Sequence, residues 1–215
     1  MSRLRSGIYG NYYGSYLTES ASLTQAQKEV NATYIYSFLT AQGWTINSIA
    51  AILGNMTAES SINPGRWQSD SVNWTEGGYG LVQWTPTTKY FDWCTEMGYS
   101  DPSEMDNNLS RIIYEVANGI QWIATTGYNY SFSAFTKSAA APSELAKAFL
   151  LNYERPADQS ESVQEYRGSL ADDWYTYLTG TAPNPPQPPT PTKKKKKYNF
   201  ILFGNKQWRN RQWQS

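Results

Sequence analysis

The chain has 215 residues, 40% of them hydrophobic, with 17 tyrosines, nine tryptophans, one cysteine and no histidine. That length holds one domain plus extensions. The missing histidines exclude Ser-His-Asp triads, Cys-His dyads and histidine-ligated zinc, and Cys94 alone excludes internal disulfides and thiolate clusters. The formal net charge of zero hides an asymmetry: eight of the 18 basic residues fall in 193–215, where there is no acid, so residues 1–192 carry ten bases against 18 acids.

Residues 1–21 are rich in Gly, Ser and Tyr, lack a clear period and read as an extended N-terminal arm. A first helix is expected from Ser22 or Thr24 to about Ala41, with Val30, Tyr34 and Phe38 as its apolar stripe. Gln42-Gly43 ends it. A second begins at the cap Thr45, with Ile46, Ile49, Ala50, Leu53 and Met56 on its apolar face. Asn63-Pro64-Gly65 stops it, which places Glu59 in its last turn or two. Residues 66–86, with Gly77, Gly78 and Gly80 among aromatics, read as a loop or short β region. Further helices are expected near 87–98, 103–124, 142–152 and 161–179. The expected class is α+β, mainly α, with a small β or loop-rich element.

The domain so read covers residues 22–180. Residues 181–192 form a proline-rich linker that favours polyproline II. In the tail, 193–215, five lysines precede Tyr198-Asn199-Phe200-Ile201-Leu202-Phe203. It carries three readings: nucleic-acid or phosphate binding, attraction to anionic wall polymers or lipids, and a strand-like anchor on a partner protein. The alternating apolar residues favour the anchor. No apolar stretch suits a secretory signal or a membrane span, so the protein is expected to be carried to its place of action by something else.

The chemistry must then come from carboxylates, hydroxyls and amides. Glu59 follows Met56 by less than a turn and sits near the negative end of its helix. Aromatics crowd the following segment. Desolvation and the helix end both disfavour a charged carboxyl there, which suits a general acid. A second carboxylate could come from Asp70, Glu76 or Glu154. Trp67, Trp74 and Trp84 are each either core or a stacking face for sugar rings.

Several segments together resemble the phage tail lysozyme family. They are Asn31-Ala32, Tyr34-Ile35, Gly43-Trp44-Thr45, Ile52-Leu53-Gly54-Asn55-Met56, Glu59-Ser60, Ile62-Asn63-Pro64-Gly65 and Trp67-Gln68. Tyr79-Gly80-Leu81-Val82-Gln83-Trp84-Thr85-Pro86 and Tyr153-Glu154-Arg155-Pro156-Ala157 extend the likeness, which covers roughly residues 23–180. It is similar in particular to the lysozyme half of tail-tip morphogenesis proteins of small short-tailed phages that infect Gram-positive bacteria. Their second, metallopeptidase half needs histidines, and this chain has none.

The resemblance implies a lysozyme-like fold that cleaves the glycan strands of peptidoglycan. It puts the catalytic glutamate at Glu59. It makes Gln83 a sugar contact; Tyr79, Trp74, Trp84 and Tyr153 are the further candidate sugar contacts. It implies no metal and no cofactor, other tail proteins as partners of 193–215, and a place in the virion from which the enzyme opens the wall for genome entry. Three alternatives stand beside it: a lytic transglycosylase in the same cleft, a non-catalytic glycan-binding tail protein, and a free endolysin.

Overall fold

The computed structural model describes residues 1–181. The linker from residue 182 on, and the basic tail, lie outside the described residues.

Helix α2 (Ile46–Ser60) is the centre of the fold. Every residue from Ser48 to Met56 is buried. A helix that is apolar on all sides must be covered on all sides. The cover comes from α7 (Glu161–Thr181), α6 (Pro142–Phe149), α1 (Gln25–Ala41) and the short α5 (Phe132–Thr136). Helices α3 (Thr88–Glu96) and α4 (Met105–Asn118) make a second group.

The start of each central helix is fixed locally. Thr24 and Gln27 form a reciprocal capping box on α1, which satisfies two otherwise orphaned N–H groups. Thr45 caps α2 by accepting from Ser48 N–H. The apolar stripe of α1 differs from the expected one in one residue. Val30 is exposed, while Asn31, Ala32, Tyr34, Ile35, Phe38 and Leu39 are buried.

The expected arm is instead a β-hairpin folded onto the domain. Strands β1 (Arg3–Gly7) and β2 (Gly10–Gly14) pair antiparallel, from Arg3 opposite Gly14 to Gly7 opposite Gly10. An isolated hairpin is marginal in water; this one is held by tertiary contacts. Tyr12 is buried. The Asn31 amide exchanges hydrogen bonds with Tyr13 N–H (2.6 Å) and C=O (2.7 Å) and also donates to Ile62 C=O (2.7 Å). One buried amide thus ties the hairpin, α1 and the exit of α2 together. The small sheet therefore lies in residues 3–14. The 66–86 region holds only isolated antiparallel bridges, Trp67 to Tyr79 and Tyr79 to Trp84.

Helix α4 is shorter than the expected 103–124. Gly119 takes φ 61° and its N–H returns to the last turn, a left-handed C-cap that glycine adopts without strain. Ile120 and Ile123, counted in the periodicity, are exposed beyond it. After α6 the backbone widens into a single π-helical turn, Leu150–Glu154, closed by Arg155 N–H to Leu150 C=O at 2.8 Å. Among the described residues no helix is long and apolar enough to cross a membrane.

Helices α2 and α7 meet at Gly54. A Cβ there would lie 2.8 Å from Ala171 N and 2.9 Å from Arg167 O. Backbone cannot yield as a side-chain tip can. Gly54→Ala is therefore expected to destabilise the protein by about 1–3 kcal/mol through displacement of α7, measurable as a lower midpoint in urea unfolding.

Candidate functional site

A cleft of about 550 Å³ opens where the end of α2, the 66–86 loop and the π turn converge. Glu59 and Glu154 are its acidic lining residues; Arg66, Lys89 and Arg155 are its basic ones.

Three features bring Glu59 there. Helix α2 runs through Ser60 before Ser61 and Ile62 turn with positive φ. The Ser60 hydroxyl donates to Leu81 C=O at 2.9 Å, which ties the helix end to the glycine-rich loop. Trp174 of α7 donates its indole N–H to Thr57 Oγ1 at 2.7 Å. The Glu59 side chain keeps 21% exposure.

Its principal partner is Arg167, 108 residues away. Arg167 lies on the buried face of α7 with Ala171, Trp174 and Leu178, the spacing of one helical stripe. Its Nη2 reaches Glu59 Oε1 at 2.5 Å, and its Nη1 donates to Asn55 C=O at 2.8 Å. The same Nη1 stands 3.6 Å from Glu154 Oε2. One guanidinium therefore faces two carboxyls.

Glu154 is the deeper of the two. Its side chain is 5% exposed, and both carboxyl oxygens are buried without a donor from any other group. Burial, and after it the neighbouring Glu59 carboxyl, pushes Glu154 well above the usual carboxylate range, against the pull of Arg167.

The floor beneath is a second polar network. Glu115 of α4 is 1% exposed. It accepts from Trp84 Nε1 (3.0 Å), Arg111 Nε (2.9 Å) and the Tyr153 hydroxyl. Burial raises its carboxyl, and the three donors oppose that. Through Tyr153 this network anchors the π turn that carries Glu154. Tyr153→Phe deletes one donor to a buried acid. A loss of about 1–3 kcal/mol is expected, read from a thermal melt.

The expected sugar contacts divide. Gln83 lines the cleft, but its amide N–H groups donate to Arg66 C=O (3.2 Å) and Gly80 C=O (2.9 Å), so it also holds the loop in shape. Its positive φ of 51° belongs to the same tight turn. Trp84 and Tyr153 border the cleft while their rings are buried. Trp84 stacks on Tyr90 with ring centroids 4.6 Å apart. Tyr79 is fully buried and does not line the cleft. Its ring is one rung in a ladder with Trp67, Phe91 and Tyr90, so core packing claims it. Trp74 is exposed, outside the cleft, and covers Gly77.

Asp70 and Glu76 are corrected as cleft carboxylates. Neither lines it. Asp70 pairs with Arg66 at 3.1 Å and accepts from the Ser20 hydroxyl at 2.7 Å, and Glu76 is exposed. The sequence reading missed Arg167 and Glu115. A single arginine among the acids of the 161–179 segment, and a glutamate on the apolar stripe of α4, were the available signals.

Residues 30–178 match the family model described as phage tail lysozyme. Over 165 residues the chain is 45% identical to morphogenesis protein 1 of Bacillus phage B103, which covers 77% of this chain and 44% of that protein. The chain thus spans less than half the length of this relative.

Proposed function

The chain belongs to the phage tail lysozyme family, and from that premise we propose that it is a virion-borne hydrolase of peptidoglycan glycan strands. Its work would be to thin the Gram-positive wall locally so that the phage genome can enter. Residues 193–215 would hold it to neighbouring tail proteins. The observation that carries this reading is Glu59: a partly exposed carboxyl on the last turn of a buried helix, facing a cleft and clamped by one arginine. Glu59 would protonate the glycosidic oxygen as the bond to the anomeric carbon breaks, and water would complete the displacement.

A second reading draws on the lining of the cleft. Beyond Glu59 and its immediate neighbour Glu154, no acid among the described residues lines it. An inverting or retaining glycosidase sets its second carboxylate across the sugar ring. Without one, the 6-hydroxyl of the cleaved sugar can replace water, which is lytic transglycosylase chemistry. Mass spectrometry of digested wall separates the two, since only the transglycosylase leaves anhydro ends. A zymogram of wild type beside Glu59→Gln tests both. Clearing by wild type alone supports a Glu59-dependent enzyme. Equal clearing by both, or by neither, would return the protein to a glycan-binding role.

A further inference from the structure

We propose that Glu154 is the positioning residue of the glycan-cleaving acid: it holds, in a hydrogen bond between the two side chains, the proton that Glu59 delivers. This rests on the reading of Glu59 as the acid.

Four observations carry it. Glu59 and Glu154 face the same guanidinium, Glu59 Oε1 at 2.5 Å from Arg167 Nη2 and Glu154 Oε2 at 3.6 Å from its Nη1. Two ionised carboxylates have no donor between them, so a hydrogen bond between the two requires a proton. Both Glu154 oxygens are buried and receive no hydrogen bond from another group, a costly state for an anion and an acceptable one for a carboxylic acid whose partner is Glu59. Arg167 from α7 reaches both acids, and Arg66, Lys89 and Arg155 are the other charged groups of the cleft lining. One proton on two carboxyls leaves a single negative charge, which one guanidinium balances.

The depth of Glu154 argues against the usual roles of a second carboxylate. A nucleophile or base stands roughly 5–9.5 Å from the acid, across the sugar. Glu154 faces the same guanidinium as the acid and lies deeper than it, 5% exposed against 21%. The π turn explains the placement: its extra residue lets Tyr153 face Glu115 in the core while the next residue, Glu154, faces Glu59.

The proton balance is simple. As the bond between the anomeric carbon and the glycosidic oxygen breaks, its electron pair stays on the oxygen, which takes the proton from Glu59. Both carboxyls are then ionised before Arg167. The nucleophile that adds to the anomeric carbon, water or the 6-hydroxyl, loses a proton, and the pair recovers it.

The test combines rates with direct titration on the full chain. In Glu154→Gln, Glu59 keeps Arg167 and loses its carboxyl partner. The basic limb of the kcat profile on purified wall should therefore move to lower pH, with KM and the thermal midpoint retained. Glu154→Asp, which restores a carboxyl, should recover the limb. In wild type, carboxyl-carbon NMR should show one proton of the pair released well above the ordinary carboxylate range. A Glu154→Gln limb at the wild-type position, or two wild-type carboxyls that both titrate in the ordinary range, would overturn the proposal. If NMR shows the shared proton but wild type cleaves no glycan, the hydrolase reading fails while the proton assignment stands.

Discussion

Glu59→Gln is expected to lower kcat on purified cell wall by about 10²–10⁴-fold, the range that a positioned general acid supplies. The substitution keeps the side chain's shape, and its amide oxygen can still accept from Arg167. It removes the transferable proton and the carboxylate charge that faces Arg167. KM should stay near the wild-type value, because an interaction made only in the transition state contributes to kcat and not to ground-state binding. The thermal midpoint should not fall by more than a few degrees: Arg167 keeps Asn55 C=O and gains Glu154, 3.6 Å away, as its remaining carboxyl. Turbidity clearing at several wall concentrations gives both constants, and a circular dichroism melt gives the third. A variant that clears at the wild-type rate, correctly folded, would remove Glu59 from the chemistry. A variant that fails to fold would say nothing of it, and Glu59→Asp, which keeps the acid but withdraws it, then decides between position and proton.

The parts of this site that were legible in the sequence are those set by local rules. A capping threonine, an unbroken apolar run and Asn63-Pro64-Gly65 define α2, and the helical period carries Glu59 to its end. The capping box of α1 is equally local. What was not legible depends on partners far along the chain. The hairpin over residues 3–14 has no periodicity of its own that would announce it; it exists because Asn31 and the α1 surface receive it. Arg167 is tied to Glu59 only by the packing of α7 on α2. The aromatics misled for another reason. A ring's preference for sugar or for core is the same physical preference for an apolar face, so composition cannot assign it. Here Trp67 packs edge-on against Tyr79, Tyr79 and Trp84 stack on Tyr90, and the exposed ring, Trp74, lies away from the cleft.

Arg167→Met is expected to cost about 3–5 kcal/mol of stability at neutral pH, the usual result of deleting one member of a buried ion pair. Methionine keeps much of the length and apolar contact of the side chain, so the loss reports the charge. The dependence on pH separates this account from lost packing. Glu154 titrates in the folded protein well above its ordinary value, with burial and Glu59 raising it and Arg167 lowering it. The folded state therefore binds more protons than the unfolded chain above pH about 4.3, the unperturbed glutamate value. The stability from this group is complete below that pH and is lost as pH rises through the folded value. Without Arg167 the folded value climbs further, so the loss with rising pH becomes larger. At pH 4 Glu154 is neutral, and the wild type then holds a buried guanidinium with less counter-charge than at neutral pH. The gap between variant and wild type should accordingly be small at pH 4 and widen steadily toward pH 7. Urea unfolding at four or five pH values measures it. A gap of equal size at pH 4 and pH 7 would mean that Arg167 serves α7 as packing and not the carboxyl pair as its counter-ion.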